Sequence, residues 1–154
     1  MRREKLKLAP SAAVADGQAS YALDEQIGFL LRIAMQRHTA IFMARMIEGL
    51  TQTQFAALAK LHEAGPCSQN QLGRLIYFDA ATIKGVVDRL SAHGLVSALA
   101  DPIDRRRRAV ELTARGRAVT QAAMRVAGAI TAATLEPLSE EEPQLVVKLL
   151  KKLG

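Results

Sequence analysis

The chain has one cysteine, no tryptophan, two tyrosines and four phenylalanines among its 154 residues. A single thiol excludes an intramolecular disulfide and fits a reducing compartment such as the cytoplasm. No apolar run approaches the ~20 residues a membrane-spanning helix needs, and the first residues lack the apolar core of a signal peptide. A soluble cytoplasmic protein without a membrane role is therefore the expectation. The three histidines, His38, His62 and His93, are scattered, and the acids show no metal-ligand spacing. With no grouping of nucleophile, base or metal ligand, neither an enzyme nor a cofactor is expected.

What is present is aliphatic and basic. At 49% hydrophobic residues with 4% aromatics, the chain can bury the core of one mostly helical domain packed by Leu, Ala, Val and Ile. The net charge of +6 is localised. Residues 84–117 carry eight Lys or Arg against four acids. Much of the remaining excess lies in Arg2, Arg3, Lys5 and Lys7, within a segment whose Pro10 and Gly17 predict a flexible basic arm over residues 1–20. The arm lacks the bulky aromatics of a membrane-surface helix, and phosphate contact is the more natural use of its charge.

Residues 68–112 organise the rest. Ser68 with Gln71 offers a capping box that starts a short helix with Leu72, Leu75 and Ile76 on one face. Asp79 caps the next helix, stapled by Phe78 and Ile83, and Ile83, Val86, Val87 and Leu90 repeat at helical spacing until Gly94. Two helices across so few residues is helix-turn-helix spacing. The second presents Ala80, Ala81, Thr82, Lys84, Gly85, Asp88 and Arg89 outward. Small residues permit close approach to a major groove, while Thr82 and Lys84 reach bases or phosphates. An ordinary solvated helix face would look similar.

The following hairpin separates these readings. Leu95–Leu99 and Arg108–Leu112 have strand character around the turn Asp101-Pro102-Ile103-Asp104. Arg105, Arg106, Arg107 and Arg108 sit at or beside its tip, where adjacent cations repel and gain little from packing. A DNA minor groove is the economical partner for guanidinium groups so placed, with Asp104 orienting one of them.

Together, Leu50-Thr51-Gln52-Thr53-Gln54-Phe55, Gly65-Pro66, Asp79-Ala80-Ala81-Thr82, Asp88-Arg89-Leu90, Gly94-Leu95-Val96, Asp101-Pro102-Ile103-Asp104-Arg105-Arg106 and Leu112-Thr113-Ala114-Arg115-Gly116 closely resemble the MarR family of bacterial transcriptional regulators. The resemblance spans residues 23–150. It implies a mainly α fold with a small β-hairpin wing, a winged helix-turn-helix on double-stranded DNA, and a homodimer on a pseudo-palindromic operator. It places residues 79–89 in the recognition helix, and Asp104 with Arg106 as the wing's Asp-Arg pair. The DNA-contacting set expected is Ser68, Gln69, Ala80, Thr82, Lys84, Arg89, Asp104, Arg105, Arg106 and Arg107. Where relatives often carry a basic residue after Gly-Leu-Val, this chain has Ser97-Ala98-Leu99.

The flanks complete one domain over residues 21–154, with the DNA-binding lobe at 50–112 and dimerisation helices at 21–49 and 113–154. A first helix over Tyr21–Gly49 carries an apolar stripe including Ile27, Leu30, Leu31, His38, Ile41 and Phe42. His38 reads either as a hydrogen-bonded core histidine or as a contact for a ligand. The resemblance implies an effector cavity walled by this helix. His38 and Phe42 would hold a small aromatic or heteroaromatic acid there, with Arg37 or Arg45 pairing its carboxylate. Thr51 and Gln54 box the next helix, stapled by Leu50 and Phe55. Cys67 stands near a helix start, where lowered thiol pKa would suit redox sensing, or makes a simple apolar contact with Leu72. Thr113 caps a long alanine-rich helix towards Pro137, and Ser139 precedes a last helix striped by Val146, Leu149, Leu150 and Leu153. These ends pair across a two-fold axis or pack within one chain. Repression relieved by the acid is the expected function; a ligand-blind or architectural DNA-binding protein is the rival.

Overall fold

The computed structural model describes residues 21–100 and 108–154. The basic arm at 1–20 and the hairpin tip with Asp104, Arg105, Arg106 and Arg107 lie outside them.

After a 3-10 turn at Leu23–Glu25, α1 runs Ile27–Arg45, shorter at both ends than the span Tyr21–Gly49. Gln26 is extended and its Nε2 donates to the Ala22 carbonyl at 3.1 Å, so the chain enters the helix from a separate turn. At the far end Met46 is extended, and Glu48 and Gly49 take φ of 56° and 63°. That left-handed pair turns the chain into α2 (Gln52–Ala64), which opens on the expected capping box. The Gln54 amide donates to Thr51 Oγ1 at 3.2 Å and the Thr51 amide to Gln54 Oε1 at 2.9 Å. Gly65, at φ 76°, ends the helix with its amide on the Leu61 carbonyl.

Cys67–Ser68 forms a short strand, β1, that the sequence pattern does not reveal. Helices α3 (Gln69–Leu75) and α4 (Ala80–Ala92) follow. Ser68 caps α3 through the Gln71 amide at 3.2 Å, but the returning bond of the expected capping box does not form. Tyr77, at φ 59°, makes the turn, and the Phe78 amide closes on the Gly73 carbonyl. Strands β2 (Val96–Ala100) and β3 (Arg108–Leu112) complete an antiparallel sheet of order β1-β3-β2. Val96 faces Leu112 and Ala100 faces Arg108, while Cys67 faces Val110 and Ser68 faces Ala109.

Helix α5 (Ala114–Leu135) packs along both α1 and α2. Thr113 caps it, accepting from the Gly116 amide at 2.9 Å and donating to the Gly94 carbonyl at 2.7 Å. Helix α6 (Glu142–Leu153) starts later than the Ser139 position suggests. Here Glu142 accepts from the Ser139 amide at 2.8 Å, and Pro143 sits in the first turn, where its missing donor costs nothing.

The lobe of residues 50–112 has a continuous core. Leu58, Leu72, Ile83, Val86, Leu90 and Leu95 are essentially inaccessible, joined by Leu61, Cys67, Val96, Val110, Leu112 and, from α5, Ala123. Truncating one such leucine to alanine costs about 2–5 kcal/mol. The ends of the chain differ. On α1 only Phe42 is buried, and α6 buries no residue. Leu23, Ile27, Leu30, Leu31 and Met43 at one end, and Leu145, Leu149, Leu150 and Leu153 at the other, all remain exposed.

Candidate nucleic-acid interface and effector cavity

The apolar repeat of α4 buries Ile83, Val86 and Leu90, and this fixes which residues face outward. Ala80, Thr82, Lys84, Asp88 and Arg89 are all exposed. Asp79 caps the helix, its Oδ1 accepting from the Thr82 amide at 2.7 Å and its Oδ2 from the Thr82 hydroxyl at 3.0 Å. Bonding from Thr82 holds the Asp79 carboxyl below its ordinary range. Thr82 thus stands on the outer face with its hydroxyl oriented. Lys84 Nζ lies 2.6 Å from Asp88 Oδ2, one turn along the same exposed face. Arg89 folds its guanidinium back over Gly85, where an added Cβ would sit 3.5 Å from Nη2.

Ser68 and Gln69 meet α4 across a cleft of about 380 Å³ with mixed polar and apolar walls. Its walls include Asn70 of α3, Asp88 and Ser91 of α4, Ser97 and Ala98 of β2 and Arg108 of β3. A smaller recess joins Ala80 to Asn70 and Arg74. Asn70, Arg74 and Ser91 were therefore missed from sequence; Arg74 alone left a signal, as an exposed cation in the last turn of α3.

A second cavity, of about 330 Å³, lies between α1, α2 and α5, lined by Met35, His38, Phe42, Gln52, Phe55, Ala127, Ile130 and Thr131. Its size and mixed lining suit a small ligand. The His38 and Phe42 ring centroids are 6.2 Å apart, as are those of Phe42 and Phe55. His38 Nδ1 is 2.9 Å from Thr134 Oγ1. Arg37 and Arg45 do not line this space. Arg37 donates to the Ala133 carbonyl at 3.0 Å, on the exposed side of α1. Arg37 thus reaches α5 at the residue before Thr134, while neither arginine is among the residues lining the cavity. Gln52, Phe55 and Ile130 were missed because they come from other helices.

The MarR family model matches residues 50–107, and the transcriptional repressor NicR of Pseudomonas putida is 41% identical over 148 residues, covering 96% of this chain and 93% of NicR. The chain belongs to the MarR family. Solved structures agree over most of the chain. A probable transcriptional regulator from Pseudomonas aeruginosa is 51% identical with a TM-score of 0.83, over 86% of this chain and all of that one. Bordetella bronchiseptica BpsR, solved for the mechanism by which 6-hydroxynicotinic acid regulates its DNA binding, is 39% identical with a TM-score of 0.82, over 88% and 97%.

As a MarR-family member the protein is a DNA-binding transcriptional repressor rather than an enzyme. The mainly α fold with its β2–β3 wing is the winged helix-turn-helix of the MarR family. Cys67 sits buried in β1 of this MarR lobe, and burial pushes its thiol up. The depressed pKa a redox switch needs is absent, so the apolar role fits better. Among the described residues no cluster suits a metal ion, and no helix is long and apolar enough to cross a membrane.

Proposed function

We propose that this repressor acts as a homodimer on a pseudo-palindromic operator and is released by a small aromatic or heteroaromatic carboxylate. Each subunit presents α4 to the major groove and its wing to the flanking minor groove. Ser68, Gln69, Ala80, Thr82, Lys84 and Arg89 form the DNA face, with Asp104, Arg105, Arg106 and Arg107 contributing from the wing tip. The helical ends, 21–49 and 113–154, make the dimer. The uncovered leucines of α1 and α6 support this, since contiguous apolar surface on a small domain marks an interface.

The observation that carries the effector is the cavity holding His38 and Phe42. It lies where α2 of the DNA-binding lobe meets α1 and α5, so an occupant bears on both. That BpsR answers to 6-hydroxynicotinic acid points to the same ligand class. An effector changes DNA affinity only through unequal binding to the two arrangements of the heads, ordinarily about 1–3 kcal/mol of coupling.

The test is binding of the dimer to DNA upstream of its own gene, with excess random competitor, with and without 6-hydroxynicotinate, nicotinate and 4-hydroxybenzoate. Specific binding relieved by one acid supports the reading. Binding erased by the competitor, with no response to any acid, favours an architectural DNA-binding protein instead.

A further inference from the structure

The two partners of Thr134 favour the Nδ1–H tautomer of His38. Thr134 Oγ1 donates its one proton to the Ile130 carbonyl at 2.9 Å. It has only lone pairs left for His38 Nδ1, 2.9 Å away, so Nδ1 carries the hydrogen of that bond. In a neutral ring with Nδ1–H, Nε2 is a bare acceptor. It is the ring nitrogen left for an occupant of the cavity.

Among the described residues, the lining holds no ionisable side chain besides His38. On α1 the wall is Met35, His38 and Phe42; on α2, Gln52 and Phe55; on α5, Ala127, Ile130 and Thr131. Among these, only His38 is able to become a cation. Arg37 and Arg45 on α1, Lys60, His62 and Glu63 on α2, and Arg125 and Glu136 on or beside α5 all lie outside the lining. Among the described lining residues, a carboxylate entering this space meets the Nε2 lone pair and no fixed cation. Holding a carboxylate unpaired against largely apolar walls is costly. Protonation at Nε2 removes the conflict, because the imidazolium donates from both nitrogens and keeps its bond to Thr134.

We infer that an aromatic carboxylate enters this cavity together with a proton from solvent, which His38 takes up at Nε2, so that the repressor responds to its effector more strongly as pH falls. The inference rests on the effector reading above. Its sign follows from linkage: a ligand that prefers the protonated ring loses affinity once pH is high enough to strip the free ring of its proton.

The experiment is titration calorimetry of the full-length wild-type dimer with 6-hydroxynicotinate, nicotinate and 4-hydroxybenzoate, in paired buffers of different ionisation enthalpy and across pH. For any acid that binds, uptake approaching one proton per site is expected on the high-pH side of the profile, where affinity falls towards tenfold per pH unit. The matching carboxamide should bind without this dependence. In His38→Gln, and independently in Thr134→Val, which frees Nδ1, the proton count should fall. Binding of an acid to wild type with no proton uptake and a flat pH profile overturns the inference while sparing the effector reading. No binding by any of the acids overturns both.

Discussion

The Arg115 guanidinium, in the first turn of α5, lies 2.8 Å from the Glu48 carboxylate in the α1–α2 connection, and its other terminal nitrogen donates to the His93 carbonyl at the end of α4. Glu48 is held at φ 56°, a conformation most side chains avoid. One arginine thus pins a strained turn to the end of the recognition helix. Both partners are partly exposed, so the ion pair itself is worth little. Arg115→Ala should lower stability by about 1 kcal/mol in urea unfolding, mainly through the lost carbonyl bond. Arg115→Lys should recover only part of it, since a lysine is a poor match for two separated acceptors. Full recovery would show that charge alone matters here.

Gly116 is the most confined of the described glycines. A Cβ there would lie 1.8 Å from the Leu95 carbonyl oxygen. Backbone cannot yield as a flexible side chain does. Gly116→Ala should therefore destabilise by roughly 3 kcal/mol or more, and specific DNA binding should fall with the folded fraction. A variant with wild-type thermal stability would mean that α5 is able to shift away from the Leu95 backbone.

Lys84 is the exposed lysine of the α4 face, and Asp88 occupies it at 2.6 Å. Asp88→Asn should release the ammonium for phosphate. Tighter binding to random DNA is expected, with the slope of log affinity against log salt steeper by about one. An unchanged slope would place Lys84 outside phosphate reach.

Asp79 gives the acid limb of the stability curve a specific source. Its carboxyl is held below the ordinary value of 3.8 by bonds from Thr82 that favour the ionised form. A depressed folded-state pKa stabilises above the unfolded value and loses that contribution as pH falls through the folded one. Asp79→Asn keeps an accepting oxygen but cannot ionise. Wild type should therefore lose stability relative to the variant below about pH 4, and parallel denaturation profiles through that range would rule the cap out as the source.

Much of this was legible in the sequence because local chemistry wrote it there. Thr51, Ser68, Asp79 and Thr113 each cap the helix expected of them, and the Ile83 repeat identified the buried face of α4. What failed had no local signature. Strand β1 exists only because Cys67 and Ser68 pair with residues over forty positions away in the sequence, Val110 and Ala109. The end of α1 was placed late because Met46 and Ile47 continue its apolar character, whereas the left-handed turn at Glu48 and Gly49 depends on contacts made elsewhere. Likewise the cavity was half visible: His38 and Phe42 share a stripe, but helix periodicity cannot say that Gln52 and Ile130 will stand opposite them.

The short pairing of β1 with β3 has a mechanical corollary. It stitches the start of α3 to the base of the wing, and Thr113 bolts the end of α4 to the start of α5. Helix α4 and the base of the wing are thereby tied to one framework. In the proposed dimer, a ligand in the cavity would then act chiefly on the distance and tilt between the two frameworks. Operators with a base pair inserted or removed at their centre would then be the most direct gauge of what the bound acid does.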